Sequence, residues 1–85
     1  MELDNKLESV NDYKTLSAFI SALSDDLTTN AASWENRTLQ AYLERLSAFT
    51  GSMGSWARNN DVQLPDQAEF WRLFGEMLLI AREYE

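Results

Sequence analysis

With 85 residues, 45% of them apolar and ten aromatic, the chain has room for one domain with one core and is too apolar for disorder. Its 14 acidic and 7 basic residues give a formal net charge of −7, which repels nucleic-acid phosphates and anionic membranes and attracts basic proteins. Cysteine and histidine are both absent, which excludes disulfides, a thiolate nucleophile, the commonest general base and the commonest transition-metal ligands.

A small domain without cysteine suits a reducing compartment. The acidic start Met1-Glu2-Leu3-Asp4 has no apolar stretch of the signal-peptide kind. The longest apolar run, from Met77 to Ala81, is far too short to span a bilayer. These features predict a cytoplasmic protein of bacterial type, with neither nucleic acid nor membrane as partner.

Residues 1–11 mix charge with Leu3, Leu7 and Val10, which either form one helical stripe or tuck singly against the body. The first main helix is predicted over 12–27. Leu16, Phe19, Ile20, Leu23 and Leu27 fall on one face, and Lys14, Ser17, Ser21 and Ser24 fall on the other. Asn11 or Asp12 can cap it, because either side-chain oxygen accepts a free backbone N–H. Asp25-Asp26 near its end opposes the helix dipole and marks fraying or a local cation contact.

The polar connection 28–33 leads to Trp34. A second main helix is predicted from Asn36 or Thr38 to Thr50, carrying Leu39, Tyr42, Leu43, Leu46 and Phe49 on one side. Gly51 stands where a C′ residue is expected, and Trp34 folds back over the first turn as a hydrophobic staple does. Residues 51–65 read as a long linker with a turn at Asn59-Asn60-Asp61 and room for a short extra helix over 53–59.

Pro65-Asp66-Gln67-Ala68-Glu69 reads as the start of the last helix, with Asp66 as N-cap and Glu69 reaching back to it. That helix is predicted to run to Tyr84. Its wide apolar arc makes Phe70, Phe74, Met77 and Ala81 the expected centre of the core. Gly75 within it costs about 1 kcal/mol relative to alanine, which close approach of a helix or ring would offset.

Trp34-Glu35-Asn36, Thr38-Leu39, Tyr42-Leu43 and Leu46, then Trp71-Arg72-Leu73-Phe74, Leu78-Leu79, Ala81 and Tyr84-Glu85, form one pattern. It resembles that of a family of small uncharacterised bacterial proteins with a Trp-Glu-Asn motif before the central helix. Asn59 and Pro65 match that family's asparagine turn and the proline before its last helix. The resemblance covers residues 10–85 and supports these domain boundaries; it implies no activity. A looser similarity, in class features only, is to small acidic immunity proteins of bacterial toxin systems.

No catalytic constellation accompanies the pattern. No serine sits in a G-x-S-x-G elbow, and Gly51-Ser52-Met53-Gly54 lacks the lysine of a phosphate-binding loop. Asp25, Asp26 and Asp61 do not have calcium-loop spacing. Glu35, beside Trp34, is either part of a recognition cluster with Asn36 and Arg37 or a helix-start charge. Trp56 is stranded in a polar linker, where an exposed ring would make a binding anchor. Leu79 falls among Arg72, Glu76 and Glu83 on the polar side of the last helix.

The expected fold is all-α, a small bundle of three main helices in a single domain. The expected function is non-enzymatic protein binding. Its most concrete form is an acidic inhibitor or immunity-type protein covering a basic target such as a nuclease toxin. The alternative is a homo-oligomeric module, such as a homodimer, using the last helix. The candidate contact residues are Trp56, Leu79, Glu76, Glu83 and Glu35; no catalytic, cofactor or metal residues are expected.

Overall fold

The computed structural model describes residues 2–84. Met1, where the acidic start begins, and Glu85, the last residue of the C-terminal pattern, lie outside the described residues. The chain is all-helical: α1 (Glu2–Glu8), α2 (Tyr13–Thr29), a 3-10 turn (Ala31–Ser33), α3 (Leu39–Gly51), α4 (Met53–Asn59) and α5 (Ala68–Ala81). The three main helices of the sequence correspond to α2, α3 and α5, and the short 53–59 helix is α4. The helices group into two units, one ending at Ser47 and the next beginning at Ala48, so the boundary falls inside α3.

In the first unit α1 and the 3-10 turn both pack against α2. Leu3 and Val10 are half-buried, whereas Leu7 is exposed. Asp12 caps α2 with a reciprocal pair of bonds. Its carboxylate accepts from the Thr15 backbone N–H at 2.8 Å, and its own N–H donates to Thr15 Oγ1 at 3.0 Å. The apolar stripe forms as its spacing predicts, with Leu16, Phe19, Leu23 and Leu27 half-buried and Ile20 on its outer edge.

α2 runs two residues past its expected end. The hydroxyls of Thr28 and Thr29 donate back to the carbonyls of Ser24 and Asp25, and Asn30 N–H closes on Asp26 O at 2.8 Å. α3 starts at Leu39, the residue after Thr38. Thr38 Oγ1 accepts from Ala41 N–H at 3.1 Å, which makes it the cap. Glu35 therefore stands three residues ahead of the cap, and the first turn of α3 holds no acidic residue.

In the second unit Gly51 is the last residue of α3 rather than a left-handed C′ residue, and no described glycine has positive φ. Ser52 bridges the two helices. Its N–H reaches Phe49 O at 3.0 Å, and its carbonyl accepts from Ser55 and Trp56. α4 ends in a tight left-handed closure at the expected turn. Asp61 takes φ 54°, and Val62 N–H reaches back to Ala57 O at 2.9 Å, the six-to-one bond of a Schellman motif. Ala57, 4% exposed, is the one buried residue among those described.

The expected Asp66–Glu69 capping box is not made. α5 begins at Ala68 after the extended Gln67, with no side-chain cap. A different tie holds this entry: Trp71 Nε1 donates to Pro65 O at 2.9 Å, and the Trp71 ring meets Phe70 edge-on at 5.2 Å. α5 stops at Ala81 rather than Tyr84. Arg82 and Glu83 N–H groups bond to Leu79 and Ile80 carbonyls three residues back, which tightens the last turn, and Tyr84 N–H closes on Ile80 O at 3.1 Å.

The expected core of α5 is corrected. Phe70, Phe74, Met77 and Ala81 are all exposed, Phe74 by 40%. Helical spacing decides which residues share a face; it does not supply the surface that covers the face.

Candidate protein-binding site

The Trp-Glu-Asn stretch is positioned by contacts on both sides of Trp34. Its indole N–H donates to Asp26 Oδ2 at 2.8 Å, and its ring tilts against Tyr42 with centroids 6.1 Å apart. Tyr42 is the fourth residue of α3, the position a hydrophobic staple covers, although Trp34 reaches it from four residues before the cap. Arg37 Nε donates to Trp34 O at 2.9 Å and fixes the backbone between them. Asp26, read from sequence as fraying or a cation contact, is instead the acceptor of an indole.

This arrangement opens an apolar groove of about 320 Å³ within the first unit. Ile20, Leu23 and Leu27 of α2 line it together with Trp34, Leu39 and Tyr42. Leu39 is 75% exposed at the groove. A neighbouring hollow of about 310 Å³ is lined by Asp26, Trp34, Glu35 and Asn36 among others. Glu35 is exposed there, at the edge of the Trp34 site. A larger hollow of about 630 Å³ involves α1 and α2, but Lys6, Ser21, Asp25, Asp26, Thr29 and Asn30 make it mainly polar.

The other candidate residues lie in the second unit. Trp56, on α4, is 41% exposed, with its ring edge-on to Phe49 at 5.7 Å and its carbonyl accepting from Asn60 Nδ2. Leu79 is 59% exposed on α5, one turn from exposed Glu76. Glu83 lies just past the helix end and pairs with Arg82 at 3.4 Å, both side chains well exposed. Glu76 and Leu79 thus share one surface, Trp56 lies on another helix, and Glu35 belongs to the first unit.

The sequence reading missed two features of this surface. One is the groove, because the α2 stripe reads as core when its cover is unknown. The other is that exposure along α5 extends from Leu78, Leu79 and Ile80 to Phe70, Leu73, Phe74 and Met77. At 100° per residue, the charged Glu69, Arg72 and Glu76 confine themselves to a strip of about 60°, leaving roughly 260° of α5 apolar. Among the described residues no helix is long and apolar enough to cross a membrane.

Comparison with known proteins places the chain. It belongs to the family of unknown function DUF7660, whose model matches residues 12–85, from the Asp12 cap onward. No curated protein and no solved structure matches it.

Proposed function

We propose that this protein is a non-enzymatic protein-binding domain. Its most concrete form is an acidic inhibitor of the immunity type that covers a basic target such as a nuclease toxin in the bacterial cytoplasm. One observation carries the binding reading: α5 is apolar around most of its circumference and exposed along its length. Helices of that composition are ordinarily covered, and an exposed one is a contact surface.

Charge supports a basic partner. Acidic residues outnumber basic ones two to one in the whole chain and in each unit, so steering does not depend on one patch. Trp56 supplies an aromatic anchor and Leu79 an aliphatic one, with Glu76 and Glu83 beside Leu79 to meet basic side chains. Glu35 offers the same charge beside the Trp34 groove. The test is affinity purification from the native host with mass spectrometry. A basic protein as main prey, bound more slowly as salt rises, supports the reading; tight binding of nucleic acid at physiological salt overturns it.

A second reading is a homo-oligomeric module built on α5. It is favoured by the absence of charge from the centre of the α5 arc, where a basic target would find nothing to pair with.

A further inference from the structure

We propose that α5 pairs antiparallel with α5 of a second copy of this chain, placing Phe74 against Met77 and Phe70 against Ala81 across a two-fold axis. This deepens the homo-oligomeric reading by giving it an interface and a register.

The seam is written in α5 itself. Phe70, Phe74, Met77 and Ala81 are spaced four, three and four, the alternation that keeps one line of side chains facing a neighbouring helix. The flanking positions Trp71, Leu73, Leu78 and Ile80 are apolar as well. The charged Glu69, Arg72 and Glu76 lie on the opposite side. A partner for this seam must therefore present an equally broad, uncharged apolar face, and the chain's own α5 is one.

Two-fold symmetry requires that if one residue meets a second, the second also meets the first. Antiparallel pairing centred between Gly75 and Glu76 satisfies this with good shape. The large Phe70 falls opposite the small Ala81, and the Phe74 ring falls opposite Met77, whose sulfur contacts aromatic rings favourably. The area suffices too. Full cover of the exposed parts of Phe70, Leu73, Phe74, Met77, Leu78 and Ile80 on two copies would bury about 1,200 Å² at most, which reaches the lower bound of a specific interface. The net charge of −7 opposes association of two copies at low salt, so dimerisation strengthens as salt screens it.

Sedimentation of the full chain at increasing concentration and salt tests the assembly. The mass should double in the wild type and stay that of a monomer in Phe74→Glu and Met77→Glu with helicity retained, while Arg72→Ala, on the charged strip, still dimerises. The chain has no cysteine of its own, so single cysteines report the register. Mixed Phe74→Cys and Met77→Cys chains should oxidise to the mixed disulfide in preference to either homodisulfide. A wild-type monomer at every concentration overturns self-association and this pairing with it. A dimer in which Phe74→Cys links to itself overturns the pairing alone.

Discussion

The indole N–H of Trp34 donates to Asp26 Oδ2 at 2.8 Å, and this bond joins the last turn of α2 to the segment that leads into α3. It spans eight residues and is partly buried, so solvent screens it less than the exposed contacts around it. The Trp34 ring then rests on Tyr42, and one side chain thereby sets the far wall of the groove whose floor is Ile20, Leu23 and Leu27.

Trp34→Phe keeps an aromatic ring near Tyr42 and removes only the donor. We expect a loss of about 1.5 kcal/mol, the low end for a hydrogen bond to a charged group because Asp26 is only half-buried. Asp26→Ala should lose a similar amount. In a double-mutant cycle measured by urea unfolding the two losses should not add, since they remove the same bond. Full additivity would show that the contact is not formed in solution.

Asp12 gives the fold a pH dependence. The Thr15 backbone N–H, then the Thr15 hydroxyl, hold its carboxyl below the ordinary value of 3.8. A carboxyl lowered in the folded state stabilises it fully above the unfolded value and loses that contribution as pH falls through the folded one. Helicity followed by circular dichroism should therefore fall from this source only below about pH 3.8. Asp12→Asn retains a capping oxygen and should remove the pH dependence; Asp12→Ala should shorten α2 at every pH.

Asp61 occupies a left-handed backbone position that suits glycine better, with φ 54°. Asp61→Gly should stabilise the α4 closure by up to about 1 kcal/mol, because the side chain's steric strain is removed while the Val62–Ala57 bond stays. Asp61→Val, β-branched at the same φ, should destabilise by a larger amount. The shift in urea midpoint reads both, and a destabilised glycine variant would mean that the Asp61 side chain supports the turn.

Local rules carried the sequence reading where local forces decide. The α2 stripe, the Asp12 cap, the Thr38 cap and the Asn59–Asp61 turn each depend on residues within one or two helical turns, and each forms. The misses depend on longer reach or on competing local bonds. Gly51 reads as a stop, yet Ser52 carries the chain from α3 into α4 by bonding in both directions. Asp66 reads as a cap, yet the entry to α5 is held by an indole six residues after the Pro65 carbonyl. Phe70, Phe74 and Met77 read as core because they share a face, while burial depends on a covering surface that periodicity does not specify.

Gly75 lies between Trp71 and Leu79 on the helical wheel of α5. A Cβ built there meets no heavy atom within 4 Å, and its φ is not positive, so neither crowding nor backbone conformation requires glycine. Among the described residues the close approach that would offset its helix cost is not made. Gly75→Ala should therefore stabilise α5 by about 1 kcal/mol, read as higher helicity and a raised unfolding midpoint. Gly75 lies off the Phe74–Met77 seam, so the variant should sediment as the wild type does and cross-link in the same register. If the added methyl instead dissolves the dimer, copies meet on the Gly75 side of α5, where Leu79 lies one turn away, and the Phe74–Met77 pairing is wrong.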